Sequence, residues 1–380
     1  MNDLFLHFFG HSLMVEPTAP LTQSKFIAIP SEHPHAAFRA DASESMGAGH
    51  ISRCVTLATS LKRRGCRVTF ICAKGSTTYA PQVHAIADAV IELPHEPGDA
   101  STWLTVAPSV DAAATVAAIA AAGADWLVVD HYGIGREWEQ QVRPHVGRLM
   151  VIDDLANRPH DCDVLLDQNL RPDGAEAYRD LVPNGAMVLQ GPRYALLRDE
   201  FTQRRAHHIR TNVNRVLVSF GGVDGADGTS TALDALGDLA TSIAVDVVIG
   251  AQHPAYEHIL EVCKQAGYSC HVQTTAIADL MDTADLAIGA GGASSWERCI
   301  VGLPSVVLVM ADNQRMIAGE LAACGAAANL GDHYTVRSGD IAADVERLCA
   351  SETELMAMSA AAYAVMADHI DVAEVLLDHA

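Results

Sequence analysis

The stretch "AAFRADASESMGAGHISRCVTLATSLKRR", residues 36–64, contains a strand, a glycine-rich turn and a helix in succession. The apolar run "AAFRA" has the composition of a buried strand. Gly47 and Gly49 let the chain turn tightly before the helix begins. The helix carries an apolar stripe formed by Ile51, Cys54, Val55, Ala58 and Leu61. The stretch is therefore predicted to be the first strand and helix of a parallel α/β sheet.

The same succession is repeated in two series along the chain. The first series continues with "RVTFICA", "AVIEL", "DWLVVDH", "RLMVIDD", "DVLLDQN" and "AMVLQGP". After a polar segment, residues 197–214, the second series contains "RVLVSFGG", "VDVVIG", "CHVQT", "LAIGAGG", "SVVLVM" and "AAANL". Uniformly apolar strands indicate parallel sheets with helices on both faces. The predicted fold class is α/β, with two Rossmann-like, doubly wound domains facing a cleft.

These series also suggest the domain organisation. We expect an N-terminal extension at 1–35, a first Rossmann-like domain at 36–196, a second at 212–340, and C-terminal helices at 341–380. Ligands of such sheets bind beyond the carboxyl ends of the strands. The strand-to-helix loops are therefore the places where chemistry is expected.

Composition excludes several classes of function. The 380 residues are 49% hydrophobic and 19% charged, and the formal net charge of −22 argues against binding nucleic acid or an anionic membrane. It does not exclude a phosphorylated small molecule held by backbone amides. The nine cysteines form no C-x-x-C pair, and no H-E-x-x-H occurs, so neither a disulfide framework nor a metal site is predicted. No apolar run approaches the ~20 residues of a membrane span, and the start lacks a basic signal-peptide region, so a cytoplasmic protein is expected.

His50 ends the glycine turn and is the first candidate for chemistry. It would lie in the first turn of the helix, where free backbone amides favour a neutral imidazole that can accept a proton. Arg39 and Asp41 leave the preceding strand toward the same turn. A histidine that only starts the helix, as a cap or in solvent, is the alternative, and the residue types alone favour it.

Two glycine-rich loops of the second series could hold phosphate. Gly221 and Gly222 follow a strand, although an ordinary turn also needs glycine. In "AIGAGGASSWERCIVGLP", residues 287–304, the amides from Gly291 and Gly292 to Ser294 could face an anion, and Glu297 could accept the hydroxyls of a ribose. A capping box between Ser294 and Glu297 fits the same spacing.

Polar residues also follow three other predicted strands. Asp312, Asn313 and Gln314 start another helix, for which an aspartate N-cap is the plain explanation. Asp130, His131 and Tyr132 leave a strand of the first domain toward the cleft. Asp153 and Asp154 are adjacent, so they would point in opposite directions and are not favoured as an acid/base pair.

Taken together, these motifs resemble one family. "FRADAS-x-x-x-GAGH-x-x-RC-x-TLA", "VVDHYGI", "VIDDLANRPHDCDVLLDQNL", "GPRYALLRDEF", "VSFGGVD", "VDVVIGAQHP" and "AIGAGG-x-SSWERC-x-x-GLP" look like the UDP-2,4-diacetamido-2,4,6-trideoxy-β-L-altropyranose hydrolases of pseudaminic acid biosynthesis. The likeness runs from about residue 37 to 331 and includes several long motifs in the right order. It implies a GT-B fold, similar to that of UDP-sugar glycosyltransferases, with water as the acceptor.

The resemblance also implies roles for individual residues. His50 would activate the water that attacks the anomeric carbon with inversion, and Tyr132 and Asn313 would complete the sugar-side pocket. UDP would lie on the second domain, with the diphosphate on Gly291, Gly292 and Ser294 and the ribose on Glu297. Further substrate contacts are expected from Arg39, Gly47, Gly49, Gly221, Gly222 and Gln314. No metal or cofactor is implied, and Ala293 stands where the family commonly has a hydroxyl residue.

Two other functions stay open on the sequence. One is a GT-B glycosyltransferase that uses a UDP-sugar donor and a separate acceptor. The other is a UDP-sugar-binding protein without activity. The oligomeric state cannot be read from the sequence.

Overall fold

The computed structural model describes residues 33–43, 46–94, 103–204, 208–222, 224–237, 239 and 243–378. Most of the expected extension, residues 1–32, lies outside this part of the chain. The described residues form a seven-stranded and a six-stranded sheet, and every pairing between strands is parallel. The predicted fold class, two doubly wound α/β domains, is confirmed.

The first sheet has the strand order β3-β2-β1-β4-β5-β6-β7. Its strands are β1 (His35–Ala40), β2 (Arg67–Ala73), β3 (Ala89–Leu93), β4 (Trp126–Asp130), β5 (Arg148–Ile152), β6 (Val164–Asp167) and β7 (Met187–Gln190). The direction of winding reverses between β1 and β4. In doubly wound sheets the ligand crevice opens at such a reversal, beyond the carboxyl ends of the two strands.

The second sheet has the order β10-β9-β8-β11-β12-β13. Its strands are β8 (Arg215–Ser219), β9 (Ala244–Ile249), β10 (Ser269–Val272), β11 (Leu286–Ala290), β12 (Ser305–Val309) and β13 (Ala327–Asp332). Here the reversal lies between β8 and β11. The glycine-rich loops that start at Gly221 and Gly291 leave these two strands side by side.

Helices cover both faces of each sheet. They are α1 (Gly49–Arg63), α2 (Ser76–Tyr79), α3 (Val83–Ile86), α4 (Pro108–Ala122), α5 (Arg136–Val142), α6 (Asp199–Thr202), α7 (Gly228–Gly237), α8 (Tyr256–Ala266), α9 (Ile277–Thr283), α10 (Ser294–Ile300), α11 (Arg315–Ala323), α12 (Ser338–Ala350), α13 (Glu352–Val365) and α14 (Val372–Asp378). Short 3₁₀ turns occur at Arg143–His145, Gly174–Tyr178, Pro192–Tyr194 and Asp312–Gln314. In the part of the chain that the structure describes, no helix is long and apolar enough to cross a membrane.

Helix α1 shows why the opening stretch folds as it does. Its predicted stripe is buried against the first sheet, except that Val55 is only half-buried. Burying one such face against a sheet stabilises a helix more than intrinsic propensity does. Lys62 and Arg63 lie in its last turn, where positive charge favours the helix dipole.

The segment between the two sheets is more ordered than its polar composition suggested. It contains α6, and the Arg210 guanidinium is buried, with 2% of the residue exposed. That guanidinium donates to the backbone oxygens of Val301, Ala284 and Asp282. The segment is therefore fixed to the second domain at its end.

The last helix returns to the first domain. Val372, Ala373 and Leu376 of α14 are buried in the same core as β1 and α1. Polar contacts fix it there, because Ser60 donates to Asp371 at 2.6 Å and Arg64 donates to Glu374 at 2.8 Å. The core of the first domain is thus completed by residues from the far end of the chain.

Candidate active site

A cavity of about 230 Å³ lies between the carboxyl ends of the two sheets. It brings together six of the residues selected from the sequence, namely Gly49, His50, Tyr132, Gly292, Asn313 and Gln314. The first three belong to the first domain and the others to the second. The remaining lining residues are Met46, Arg53, Trp103, Asp154, Gln168, Asn169, Ala293 and Ile317.

His50 is paired with a buried carboxylate. It lies in the first turn of α1, is 8% exposed, and its Nδ1 is 2.6 Å from Oδ1 of Asp130, the last residue of β4. An ionised carboxylate can only accept, so Nδ1 is the donor and Nε2 is the nitrogen left to accept a proton. A carboxylate in this position holds the ring and stabilises the imidazolium that forms when the ring takes a proton. The pair can therefore act as a general base.

Arg53 keeps this carboxylate charged. It lies one turn after His50 on α1, and its Nε and Nη2 donate to the two oxygens of Asp130 at 2.5 and 2.7 Å. Burial by itself would raise the pKa of Asp130, but the charges of Arg53 and His50 hold it well below its usual range. Nη1 of Arg53 donates at 2.8 Å to Asp154, a second carboxylate on the cavity wall.

Tyr132 links the two domains beside His50. Its hydroxyl donates to Oδ1 of Asp154 at 2.6 Å and accepts from the side chain of Asn313 in the second domain. Burial and the nearby Asp154 charge raise the pKa of Tyr132, so the phenol stays protonated. The rings of Tyr132 and His50 meet edge to face, with centroids 4.4 Å apart. Three residues selected from separate loops thus form one contact chain.

The glycine turn after β11 forms the opposite side of the cavity. A Cβ on Gly291 would lie 2.9 Å from that of Ala318 in α11, so glycine lets α11 pack closely. Gly292 lines the cavity beside Gln314, whose Oε1 accepts from the backbone of Met310. The aspartate N-cap expected at residue 312 is not found, because Ala311 occupies the cap position.

The capping box between Ser294 and Glu297 is wrong. Ala293 is the N-cap of α10, without a side-chain cap bond, and Ser294 is already helical. Oγ of Ser294 accepts from Arg298 at 3.2 Å, and Glu297 accepts from Arg198 at 3.0 Å. Burial raises the pKa of Glu297, which the Arg198 charge opposes. Neither Ser294 nor Glu297 lines the cavity.

Arg298 is a buried cation beneath the same turn. It is 2% exposed and donates to the Ala290 oxygen at 2.8 Å and to the hydroxyls of Ser294 and Ser295. Within the described residues it forms no ion pair, and its Nε has no hydrogen-bond partner. Burial lowers the pKa of this guanidinium. A buried charge without a counter-ion is costly, and a bound anion would offset the cost.

Arg39 requires a correction. Its guanidinium is 1% exposed and faces into the first domain, where it donates to both oxygens of Asp111 and, at 2.5 Å, to Asp41. All its charged contacts are thus internal, and they hold the pKa of Asp41 far below its usual range despite burial. The expected substrate contact is replaced by a structural ion-pair network, which His131, the residue directly after β4, joins through Asp41.

The other selected glycines lie outside the cavity. Gly47 has φ +73° and donates to Ser43 at 2.8 Å, which forms the turn before α1. Gly221, with φ +96°, and Gly222 are exposed after β8. A Cβ on Gly250 would lie 1.9 Å from the oxygen of Gly222, so two loops approach closely there.

A group of potential metal ligands occurs in and near the loop that follows β8. Ligand atoms of Asp224, Asp227 and His253 lie within 4.8 Å of one another. Both oxygens of Asp224 already accept hydrogen bonds, from the first residues of α7 and from His253 at 3.1 Å. These contacts are those of a helix cap and do not require an ion.

Several cavity residues were not selected from the sequence. Arg53 could have been found as the residue three positions after His50 on the same helix face. Asp154, Gln168 and Asn169 follow β5 and β6, so the rule that ligands bind beyond carboxyl ends pointed to them. Trp103 has no such signal, since it follows residues without a recognisable motif.

Comparison with known proteins supports this architecture. Residues 216–373 match the glycosyltransferase family 28 C-terminal domain. The chain is 25% identical over 306 residues to the spore coat polysaccharide biosynthesis protein SpsG of Bacillus subtilis (strain 168), which covers 78% of this chain and 84% of that protein. It is 28% identical over 187 residues to the UDP-2,4-diacetamido-2,4,6-trideoxy-β-L-altropyranose hydrolase of Campylobacter jejuni, which covers 49% of this chain and 60% of that protein.

The fold is also similar to that of solved structures. The crystal structure of MurG from Acinetobacter baumannii superposes with a TM-score of 0.62 at 15% sequence identity, covering 91% of this chain and 99% of MurG. At this identity the likeness concerns the fold alone. Together with the two parallel sheets and the matched C-terminal domain, it shows that the chain has a GT-B fold.

Proposed function

We propose that this protein hydrolyses UDP-2,4-diacetamido-2,4,6-trideoxy-β-L-altropyranose to UDP and the free sugar, as a step of pseudaminic acid biosynthesis. The observation that carries the proposal is the His50–Asp130 pair on a cavity whose other side is the glycine turn of the second domain. A general base and an anion-binding turn are the two parts that hydrolysis of a sugar diphosphate ester needs. The partial likeness to the Campylobacter jejuni hydrolase supports this substrate.

In the proposed reaction, Nε2 of His50 takes a proton from a water molecule while Asp130 stabilises the resulting imidazolium. The water oxygen attacks the anomeric carbon from the face opposite the diphosphate. The bond between that carbon and the phosphate oxygen breaks, and UDP leaves with the electron pair. The configuration at the anomeric carbon is thereby inverted, and the proton on His50 is released to solvent.

The second domain, assigned to residues 212–340, holds the nucleotide in this proposal. Amides from Gly291 and Gly292 to Ser294 bind the diphosphate, and the Arg298 charge beneath the turn strengthens that binding. Glu297 binds the ribose, which requires it to share or release Arg198. Asn313, Gln314 and Tyr132 hold the sugar beside His50, and neither a metal nor a cofactor takes part.

The principal alternative is a glycosyltransferase that passes the sugar to a separate acceptor. The match to the glycosyltransferase family 28 C-terminal domain favours this alternative. A protein that binds a UDP-sugar without converting it is the third possibility. The same loops would bind the donor in all three cases, so the fate of the sugar has to be measured.

Release of UDP without any acceptor separates these functions. The protein is incubated with a panel of UDP-sugars, UDP is followed by chromatography, and the anomeric configuration of the product by NMR. We expect UDP and the inverted free sugar from the diacetamido-trideoxy substrate with buffer alone. A transferase would release UDP only after an acceptor is added, and a binding protein would leave the ligand intact for hours.

A further inference from the structure

Trp103 differs from the other three tryptophans of the chain. Trp126, Trp138 and Trp296 are at most 4% exposed, whereas Trp103 is 40% exposed. Folding normally buries so large an apolar ring, because leaving it in water forgoes favourable free energy. Trp103 lies at the candidate active site and lines its cavity. Its exposed face is therefore available to a ligand in that cavity.

The indole is held against the residues of the proposed chemistry. Its ring centroid lies 4.7 Å from that of Tyr132 and 5.9 Å from that of His50, with interplanar angles of 82° and 81°. Gly133 provides the space behind it, since a Cβ there would lie 2.9 Å from the Trp103 Cβ. Aromatic edge-to-face contacts of this kind fix the orientation of a ring. Trp103 is thus an ordered wall of the cavity.

The cavity lining offers both apolar and polar partners. Met46, Trp103 and Ile317 supply apolar surface, and Asp154, Gln168 and Asn169 supply hydrogen-bonding groups. The volume of about 230 Å³ lies below the ~300–1,000 Å³ of pockets for drug-sized ligands. One sugar ring fits such a space, whereas a whole nucleotide sugar has to extend past Gly292. A ring with hydroxyls or amides and with C–H or methyl groups matches the lining.

We propose that Trp103 binds the sugar of the nucleotide sugar and selects N-acylated and deoxygenated hexoses over fully hydroxylated ones. Methyl groups of an acetamido substituent or of a 6-deoxy carbon contact the indole. A hydroxyl at the same place would give up its hydrogen bonds to water without gaining a partner. This inference rests on the proposed function, because it assumes that a UDP-sugar occupies the cavity. Trp103 is a specificity-determining residue in this scheme and takes no part in proton transfer.

The emission of Trp103 provides a test when the native protein is compared with Trp103→Phe, because the three buried tryptophans also emit and are present in both proteins. The native protein is mixed in a stopped-flow instrument with UDP, UDP-glucose, UDP-N-acetylglucosamine and UDP-2-acetamido-2,6-dideoxyglucose. We expect a change in emission with the sugar nucleotides and little change with UDP. Affinity should rise by roughly tenfold for each hydroxyl replaced by an acetamido group or by hydrogen, as methyl-sized groups do in apolar pockets.

Variants separate Trp103 from general effects. Trp103→Phe should lose the emission change and keep the order of affinities, which are measured by calorimetry for UDP and for all variants. Trp103→Ala should weaken binding of the dideoxy sugar nucleotide by roughly tenfold while leaving the affinity for UDP unchanged. Tyr79→Ala is the matched control, since Tyr79 is 41% exposed in the same domain and does not line the cavity.

The outcomes distinguish this inference from the function on which it rests. If UDP binds but all sugars bind equally, or if Trp103→Ala keeps the native order of affinities, the role of Trp103 is refuted and the nucleotide site stands. If neither UDP nor any UDP-sugar binds, the proposed function fails and the inference fails with it.

Discussion

Replacement of His50 by asparagine tests the centre of the proposed mechanism. An asparagine amide can still donate to Asp130, which His50 contacts at 2.6 Å, but it offers no basic nitrogen to the water. The buried carboxylate therefore keeps a partner and Arg53 keeps its own contacts. Loss of a positioned general base lowers kcat by roughly 10²–10⁴-fold, equivalent to about 3–5 kcal/mol of activation free energy.

The assay measures kcat and KM for UDP release, with the affinity for UDP determined separately by calorimetry. The affinity for UDP should change little, because the diphosphate binds to the other domain in the proposed mode. His160→Asn is the matched control, since Nδ1 of His160 lies 2.7 Å from Glu139 in the same domain, away from the cavity. This variant should lose stability and keep kcat.

Two results would refute the reasoning. One is a His50→Asn variant that releases UDP within a few-fold of the native rate. The other is an equal loss of kcat in His50→Asn and His160→Asn, because that would reflect destabilisation of the first domain rather than loss of a base.

Three further predictions concern other parts of the molecule. Activity should be unchanged in excess EDTA, and a loss that Mg²⁺ restores would indicate a metal at the group containing Asp224. Burial raises the pKa of Asp167 to about 7, so the free energy of unfolding should fall as pH rises from about 4 to 7, by at most about 4 kcal/mol. In urea titrations, Asp167→Asn should flatten this pH dependence. A variant with the native pH dependence would contradict the assignment to Asp167. Arg298→Met should weaken UDP binding by about tenfold in calorimetry, whereas Arg210→Met, which also removes a buried guanidinium, should not; equal affinities would show that the Arg298 charge does not act on the diphosphate.

The positions of the strands along the chain could be predicted, because each strand depends on a local pattern of apolar residues. The runs "RVTFICA" and "AVIEL" are strands over the residues that the pattern indicated, Arg67–Ala73 and Ala89–Leu93. The rule that ligands bind beyond the carboxyl ends of strands then brought His50, Tyr132 and Asn313 to one cavity, although they follow three different strands, β1, β4 and β12.

Side-chain partners could not be predicted, because they depend on residues far apart in the sequence. Arg39 turns inward because Asp111, which lies 72 positions later, binds its guanidinium. Arg53 contacts Asp154 across 101 positions. No spacing rule for a single helix or loop includes such pairs. Ion pairs between residues so far apart in the sequence can be assigned only from the folded structure.

The return of α14 to the first domain affects how the protein is made on the ribosome. The last strand of the first sheet ends at Gln190, but the apolar residues that cover α1 begin at Val372. Translation at ~5–20 residues per second leaves an interval of roughly 10–40 s between these two points. During that time the nascent first domain exposes the apolar surface that α14 later covers. Chaperones that bind such surface are expected to associate with the nascent chain until α14 emerges.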